Sequence, residues 1–319
     1  MSAMWYNHFM DIRELENKRA DYHAKLKRAL KTATIVAVVW GVVAALLFVL
    51  SSIGSSTPAI VYFFIIFFSF VSAMFPFAII MVVFLLKNRK TFTEYQTLYK
   101  ELFVKTALEE VFPGCSYDAN AGIERDELRK TGMVYTGDVY NSEDLVTGEY
   151  HGMRFRQADV SIQDRDTDED GHTTYETLFM GRWAIFDIKK EFNFKLAVVG
   201  KGFAVANMRN NDKIHKFKPV RLESAEFHQR FKVYAQDGFE AFYLLDPAFM
   251  TRVEKLGEAC QNRVALFFVG GELHIAVNNF ENSFEAASMH KEIDEKAEIE
   301  KVKKDIRLIT DIVDSLKLR

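Results

Sequence analysis

Between Thr32 and Leu86 the chain contains no Asp, Glu, Lys, Arg or His. The stretch divides into two apolar blocks, roughly Ala33–Ile53 and Ala59–Leu86, around the short polar run Ser-Ser-Ile-Gly-Ser-Ser-Thr-Pro. A bilayer span needs about 20 apolar residues, so each block is long enough to cross one. The second block would make a helix of about 42 Å against a hydrocarbon core of about 30 Å, and is expected to tilt or protrude. Pro76 removes one backbone donor inside it and is expected to kink it. A cleaved leader is a poor alternative for the first block. A signal peptide has a short basic start, whereas about 31 residues of mixed charge precede this block.

Charge orients the hairpin. Seven Lys/Arg precede the first block, Lys87, Arg89, Lys90, Lys100 and Lys105 follow the second, and the connecting run has none. The positive-inside rule then places both termini of a multi-pass membrane protein in the cytoplasm. Ile12, Leu15, Tyr22, Leu26 and Ala29 repeat at helical spacing, with Arg19 as the misfit. Phe92, Tyr95, Leu98, Leu102 and Leu108 do the same on the far side, up to Pro113-Gly114. Two helices that enter and leave one hairpin must lie close together. Residues 9–31 and 91–112 are therefore expected to pair antiparallel as a juxtamembrane stalk.

From about Cys115 the pattern changes to strands and turns. His151-Gly152 and Gly270-Gly271 both read as two-residue hairpins between apolar runs. Thr173–Ile188, Phe194–Val199, Phe231–Ala235 and Ala241–Leu245 read as separate strands, and Pro247 opens a helix to about Cys260. The fold class is α+β, with five parts. These are a juxtamembrane helix (1–31), a transmembrane hairpin (32–86), a second juxtamembrane helix (87–114), a cytoplasmic antiparallel α+β domain (115–287) and a C-terminal amphipathic helix (288–319). Along that last helix Ile299, Val302, Ile306, Ile309, Val313 and Leu316 form an a/d seam of fewer than three heptads. It either closes on the domain itself or supports self-association.

Chemistry is sparse. No GxxxxGK[ST], HExxH, CxxC or GxSxG run occurs, so no catalytic, cofactor-binding or metal-ligating residue is assigned and no cofactor is implied. Two cysteines, Cys115 and Cys260, read as free thiols in a reducing compartment. A net charge of -3 excludes a globally basic nucleic-acid binder. Asp166, Asp168, Asp170 and Gly171 match the first half of a calcium loop. The twelfth position is Thr177, however, and the flanks look like strands, which favours a solvated hairpin tip. Arg209, Lys213, Lys216, Lys218 and Arg221 form a basic run suited to anionic lipid or an acidic protein. The hairpin carries no ionisable group, and ion or proton pathways usually need one, which argues against transport.

Several segments resemble one family. They are Thr131-Gly132-Met133, Tyr140, Glu143–Tyr150, Phe179-Met180-Gly181, Phe231–Tyr234 with Asp237, and Ala241–Met250. Together with the two-span start, the layout over roughly residues 90–318 resembles the bacterial membrane-protein family called domain of unknown function 3137. Val134 stands where that pattern expects an aromatic. The resemblance implies a bacterial inner-membrane protein and carries no activity or site residues with it. The expected function is a membrane-anchored cytoplasmic binding or scaffolding protein. The alternatives are an enzyme acting on a membrane-proximal substrate and a subunit of an oligomeric membrane assembly.

Overall fold

The computed structural model describes residues 2–52, 59–203, 217–236, 238–286 and 291–316. The connecting run 53–58 and the basic residues Arg209, Lys213 and Lys216 lie outside the described residues. The chain forms two compact units, residues 1–102 with 286–294, and residues 103–285 with 295–319.

The first unit is built on α1 (Ser2–Ser52) and α2 (Ala59–Tyr99). Both are long and apolar enough to cross a membrane. They run antiparallel. Lys18 meets Glu94 at 2.9 Å, and Tyr22 packs edge-on against Phe84, with Phe92 alongside. Leu15, Ala33, Tyr95 and Tyr99 are buried. The expected misfit Arg19 is itself nearly buried and held by Glu16 one turn back. In the apolar blocks Val38, Leu47, Phe68 and Phe75 are each more than half exposed. A helix of a water-soluble protein ordinarily turns such residues inward. Helix α2 continues through Pro76, then passes through one π turn, Lys100–Val104.

The second unit starts with α3 (Lys105–Val111), which stops at Phe112 before Pro113. Its centre is a seven-stranded antiparallel sheet of β1 (Ser116–Asp118), β2 (Val139–Tyr150), β3 (Met153–Thr167), β4 (Thr173–Gly200), β5 (Lys218–Val220), β6 (Phe231–Ala235) and β7 (Val264–Val277). The order is β1-β2-β3-β4-β6-β5, and β7 pairs with the other edge of β4. The helices are α4 (Arg125–Lys130), α5 (Ala225–Arg230), α6 (Gly238–Leu244), α7 (Pro247–Ala259) and α8 (Glu295–Leu316).

One sheet face carries Ala158, Val160, Ile162, Trp183, Ile185, Ala197, Val199, Phe267 and Ala276, covered by Ile123, Leu128, Met133 and Val134. The other carries Phe155, Gln157, Asp159, Arg182, Ala184 and Phe186 in cross-strand register. There Phe112 packs on Phe155 and Phe249 of α7 on Phe268. Helix α8 lies against α3 and α7.

Three local expectations are corrected. Thr173–Ile188 and Phe194–Val199 are one strand of 28 residues. Its register shifts between Asp187 and Lys195, so the polar run Lys189-Lys190-Glu191 is absorbed as an irregularity and makes no turn. Gly270-Gly271 is likewise no hairpin. Both flanks pair with the same long β4, and Gly270, at φ +60°, faces the irregular stretch. Ala241–Leu245 is helical up to Leu244, because Ala241 and Leu245 are buried one turn apart while Phe242 and Tyr243 are exposed. The His151-Gly152 hairpin is as expected, with both residues at positive φ. Pro247 opens α7 as expected, and Asp246 before it caps the helix by accepting from Phe249 N–H.

Candidate functional site

Cross-strand pairing places Asp159 of β3 directly opposite Arg182 of β4. Both side chains are at least nine-tenths buried, and Arg182 Nε lies 2.9 Å from Asp159 Oδ1. The pair is close but not aligned as a hydrogen bond, and Arg182 Nη1 and Nη2 have no hydrogen-bond partner among the described residues. The guanidinium instead lies over the Phe284 ring, 4.1 Å from its centroid. Ser283 N–H donates to Asp159 Oδ2 at 2.7 Å. Burial pushes the Asp159 carboxyl up to about 6 although Arg182 acts against the rise, and Asp144 adds to it.

A bulge in β2 brings further carboxylates to this end of the sheet. The register slips between Glu143 and Val146, and Asp144 takes φ +62°. Aspartate tolerates that left-handed conformation better than most residues. Asp144 is fully buried and accepts a 2.5 Å hydrogen bond from Tyr117 Oη. Burial, then Asp144, raises the Tyr117 phenol well above its ordinary range. Glu143, Asp144 and Glu285 bring carboxylate oxygens within 4.8 Å of one another, a donor set a hard cation could use. The Asn282 amide already donates to both Glu143, at 2.8 Å, and Glu285, at 3.3 Å. Beside this centre is a cleft of about 210 Å³, lined by Asn141, Glu143, Asp159, Ser161, Met180, Glu281 and Asn282.

Gly181 sits in the cleft wall for a steric reason. A Cβ there would fall 2.1 Å from the Val277 carbonyl oxygen. Gly181→Ala is expected to destabilise the chain by about 1–3 kcal/mol through overpacking, read as a lower melting temperature. An unchanged melting temperature would mean that β4 and β7 can separate here at no cost.

On the opposite face a second polar group is fully buried. Trp183 Nε1–H donates to His274 Nδ1 at 3.2 Å. His274 Nε2 faces Glu272 at 3.5 Å, and Glu272 meets Arg156, which also binds Glu127. His274, then Arg156, holds the Glu272 carboxyl down to about 2, and burial lowers His274.

The residues singled out from sequence lie elsewhere. Asp166 is inside β3 opposite Thr174, and Asp168 is tied up in the hairpin turn, accepting from His172 N–H at 2.7 Å. Among the described residues the three aspartates do not gather as Glu143, Asp144 and Glu285 do. Of the basic run, Lys218 and Arg221 are described, and both are exposed. Val302, Ile306, Ile309, Val313 and Leu316 are buried within the second unit, and Ile299 is partly buried.

Residues 177–318 match the family model described as protein of unknown function (DUF3137). Over these residues the chain is similar to that family. That segment contains most of β4, all of β5–β7 and α5–α8, and with them Arg182, Asn282 and Glu285. Tyr117, Glu143, Asp144 and Asp159 lie before it, so the acidic centre joins residues inside and outside the DUF3137 match. Among solved structures, the crystal structure of the mycobacterial trehalose monomycolate transport factor A, TtfA, is 13% identical. The match covers 67% of this chain and 94% of that one at a TM-score of 0.35, too low to carry an argument. The curated proteins give no match.

Proposed function

We propose that this chain is a membrane-anchored binding protein. In this reading α1 and α2 cross the inner membrane as a hairpin with both termini in the cytoplasm, and the seven-stranded unit is the part that meets partners. One observation supports it above the others. The 55 residues from Thr32 to Leu86 carry no charge, both flanks are basic, and the large apolar side chains of these helices face outward. A water-facing helix pair with that surface would aggregate. Basic flanks on both sides fit one orientation, since translocating them is disfavoured.

The cleft beside the acidic centre, about 210 Å³, is smaller than the roughly 300–1,000 Å³ usual for small-molecule sites. The enzyme alternative has Asp159 in its favour, a buried carboxyl pushed up to about 6 at the edge of that cleft.

Topology reporters test the anchor directly. Alkaline phosphatase inserted within residues 53–58 should be active, whereas a phosphatase fused after Arg319 should be silent and a fluorescent protein there bright. Phosphatase activity at the C-terminus, or complete release of the full chain by alkaline carbonate, would overturn the proposal.

A further inference from the structure

Helix α6 is built inside out. Its small residue Ala241 and the following Leu245 are buried, while Phe239, Phe242 and Tyr243 are 69%, 50% and 78% exposed. The Phe239 and Tyr243 rings meet edge-on at 5.6 Å, one turn apart. Among the described residues, the second unit exposes six large apolar side chains, and these three fall within a single helix of seven residues. The helix packs on the edge strand β5, whose Val220 lies under Gly238. Lys218 of that strand and Arg221 just after it are exposed. The same segments also expose Glu223 and Asp246, so the charge is mixed. Phe and Tyr in one segment with Lys and Arg are the side chains that settle at the boundary between headgroups and acyl chains.

We infer that α6 and the β5 edge form a contact surface for an anionic lipid bilayer. Phe239, Phe242 and Tyr243 enter the headgroup boundary, and Lys218 and Arg221 meet lipid phosphates. The inference rests on the membrane-anchor reading, because a tether keeps a bilayer at high effective concentration around the domain. That tether is the reason for choosing lipid over a soluble protein as the occupant. Three exposed aromatics would otherwise be a liability for a domain of this size.

The test uses the full chain in nanodiscs. Tyr243→Cys in a Cys115→Ala background carries a polarity-sensitive dye, with the buried Cys260 retained. In discs containing phosphatidylglycerol the dye should shift to shorter wavelength, and iodide quenching should fall about threefold relative to pure phosphatidylcholine discs. Lys218→Glu with Arg221→Glu should remove the difference, as should high salt. Equal quenching in the two kinds of disc overturns the inference. So does equal protection in discs and in detergent, which would mark a protein or a second copy as the occupant. Carbonate extraction separates the two failures. A chain that stays integral while its dye stays wet loses only this inference, whereas a chain that is extracted loses the anchor as well.

Discussion

Arg182→Met should lower the stability of the detergent-solubilised full chain by about 3–5 kcal/mol at pH 7, because it strands Asp159 in the sheet without its cation. The penalty should shrink at lower pH. In the folded chain Asp159 protonates near 6, against 3.8 when unfolded, so the native state binds more protons between those values. Its stabilising contribution is present below 3.8 and is lost as pH rises through 6. Removing Arg182 raises the folded value further, so that loss extends to higher pH and a variant at pH 5 is closer to wild type. Glu272 and His274 titrate in the opposite sense. Glu272, held down to about 2, contributes stability above 4.5 that is lost on acidification towards 2. His274, lowered by burial, disfavours the native state as pH falls through 6.5. Both remain in the variant, whereas Asp305, a second carboxyl raised by burial, also loses the opposing effect of Arg182, so the Asp159→Asn arm is what assigns the difference to Asp159. Adding Asp159→Asn to Arg182→Met should recover most of the lost stability. Chemical denaturation of wild type, Arg182→Met, Asp159→Asn and the double variant, followed by tryptophan fluorescence, reads this cycle. A penalty that does not change between pH 5 and pH 7 would show that Asp159 is not the stranded charge.

Trp183→Ala should be as severe, at about 3–5 kcal/mol. The ring is fully buried, stacked on Phe267 at 5.6 Å and edge-on to Phe179 at 5.5 Å. Deleting it opens a void at the middle of the sheet, among β-strand residues that cannot collapse inward. Trp183→Phe separates packing from polarity. It keeps an aromatic ring but leaves His274 Nδ1 without its donor, which should cost about 1–3 kcal/mol. Limited proteolysis and circular dichroism read both variants without relying on the tryptophan itself. If Trp183→Phe matches wild type, the His274 contact contributes nothing, and Glu272 alone orients that imidazole.

The helices and the long apolar hairpin were legible because their signals are periodic or compositional. A charge-free run needs no partner to be recognised, and Leu15 and Tyr95 follow the helical period that buries them. The His151-Gly152 turn was readable because both residues adopt the backbone that a two-residue hairpin needs. Gly270-Gly271 carries the same local signal and makes a bulge. Only β4, far away in sequence, decides between the two outcomes. Ala241–Leu245 is a five-residue apolar run, too short for period alone to separate helix from strand. The acidic centre was hidden for a related reason. Its members come from Tyr117, the bulge at Asp144, two mid-strand positions and the segment 282–285. The one available hint was a charged residue in an apolar, inward-facing series, Arg182 between Gly181 and Trp183. Such a residue in a strand must either find a partner or unpair the sheet.

The long central strand also sets an order of events during synthesis. β3 and β4 can zip together as soon as they emerge, since their connection is short. The other edge of β4, from Arg182 to Val199, has no neighbour until residues 265–277 have been made. At ordinary translation speeds that interval is on the order of several seconds. Throughout it, a run containing Trp183, Ile185, Phe186, Leu196 and Val198 presents unpaired backbone to solvent, the kind of edge that recruits other strands. A chain interrupted between residues 200 and 264 would be left in that condition permanently. In the proposed membrane hairpin, early insertion of the two apolar helices would hold such an intermediate at the membrane surface and limit its encounters with other nascent chains.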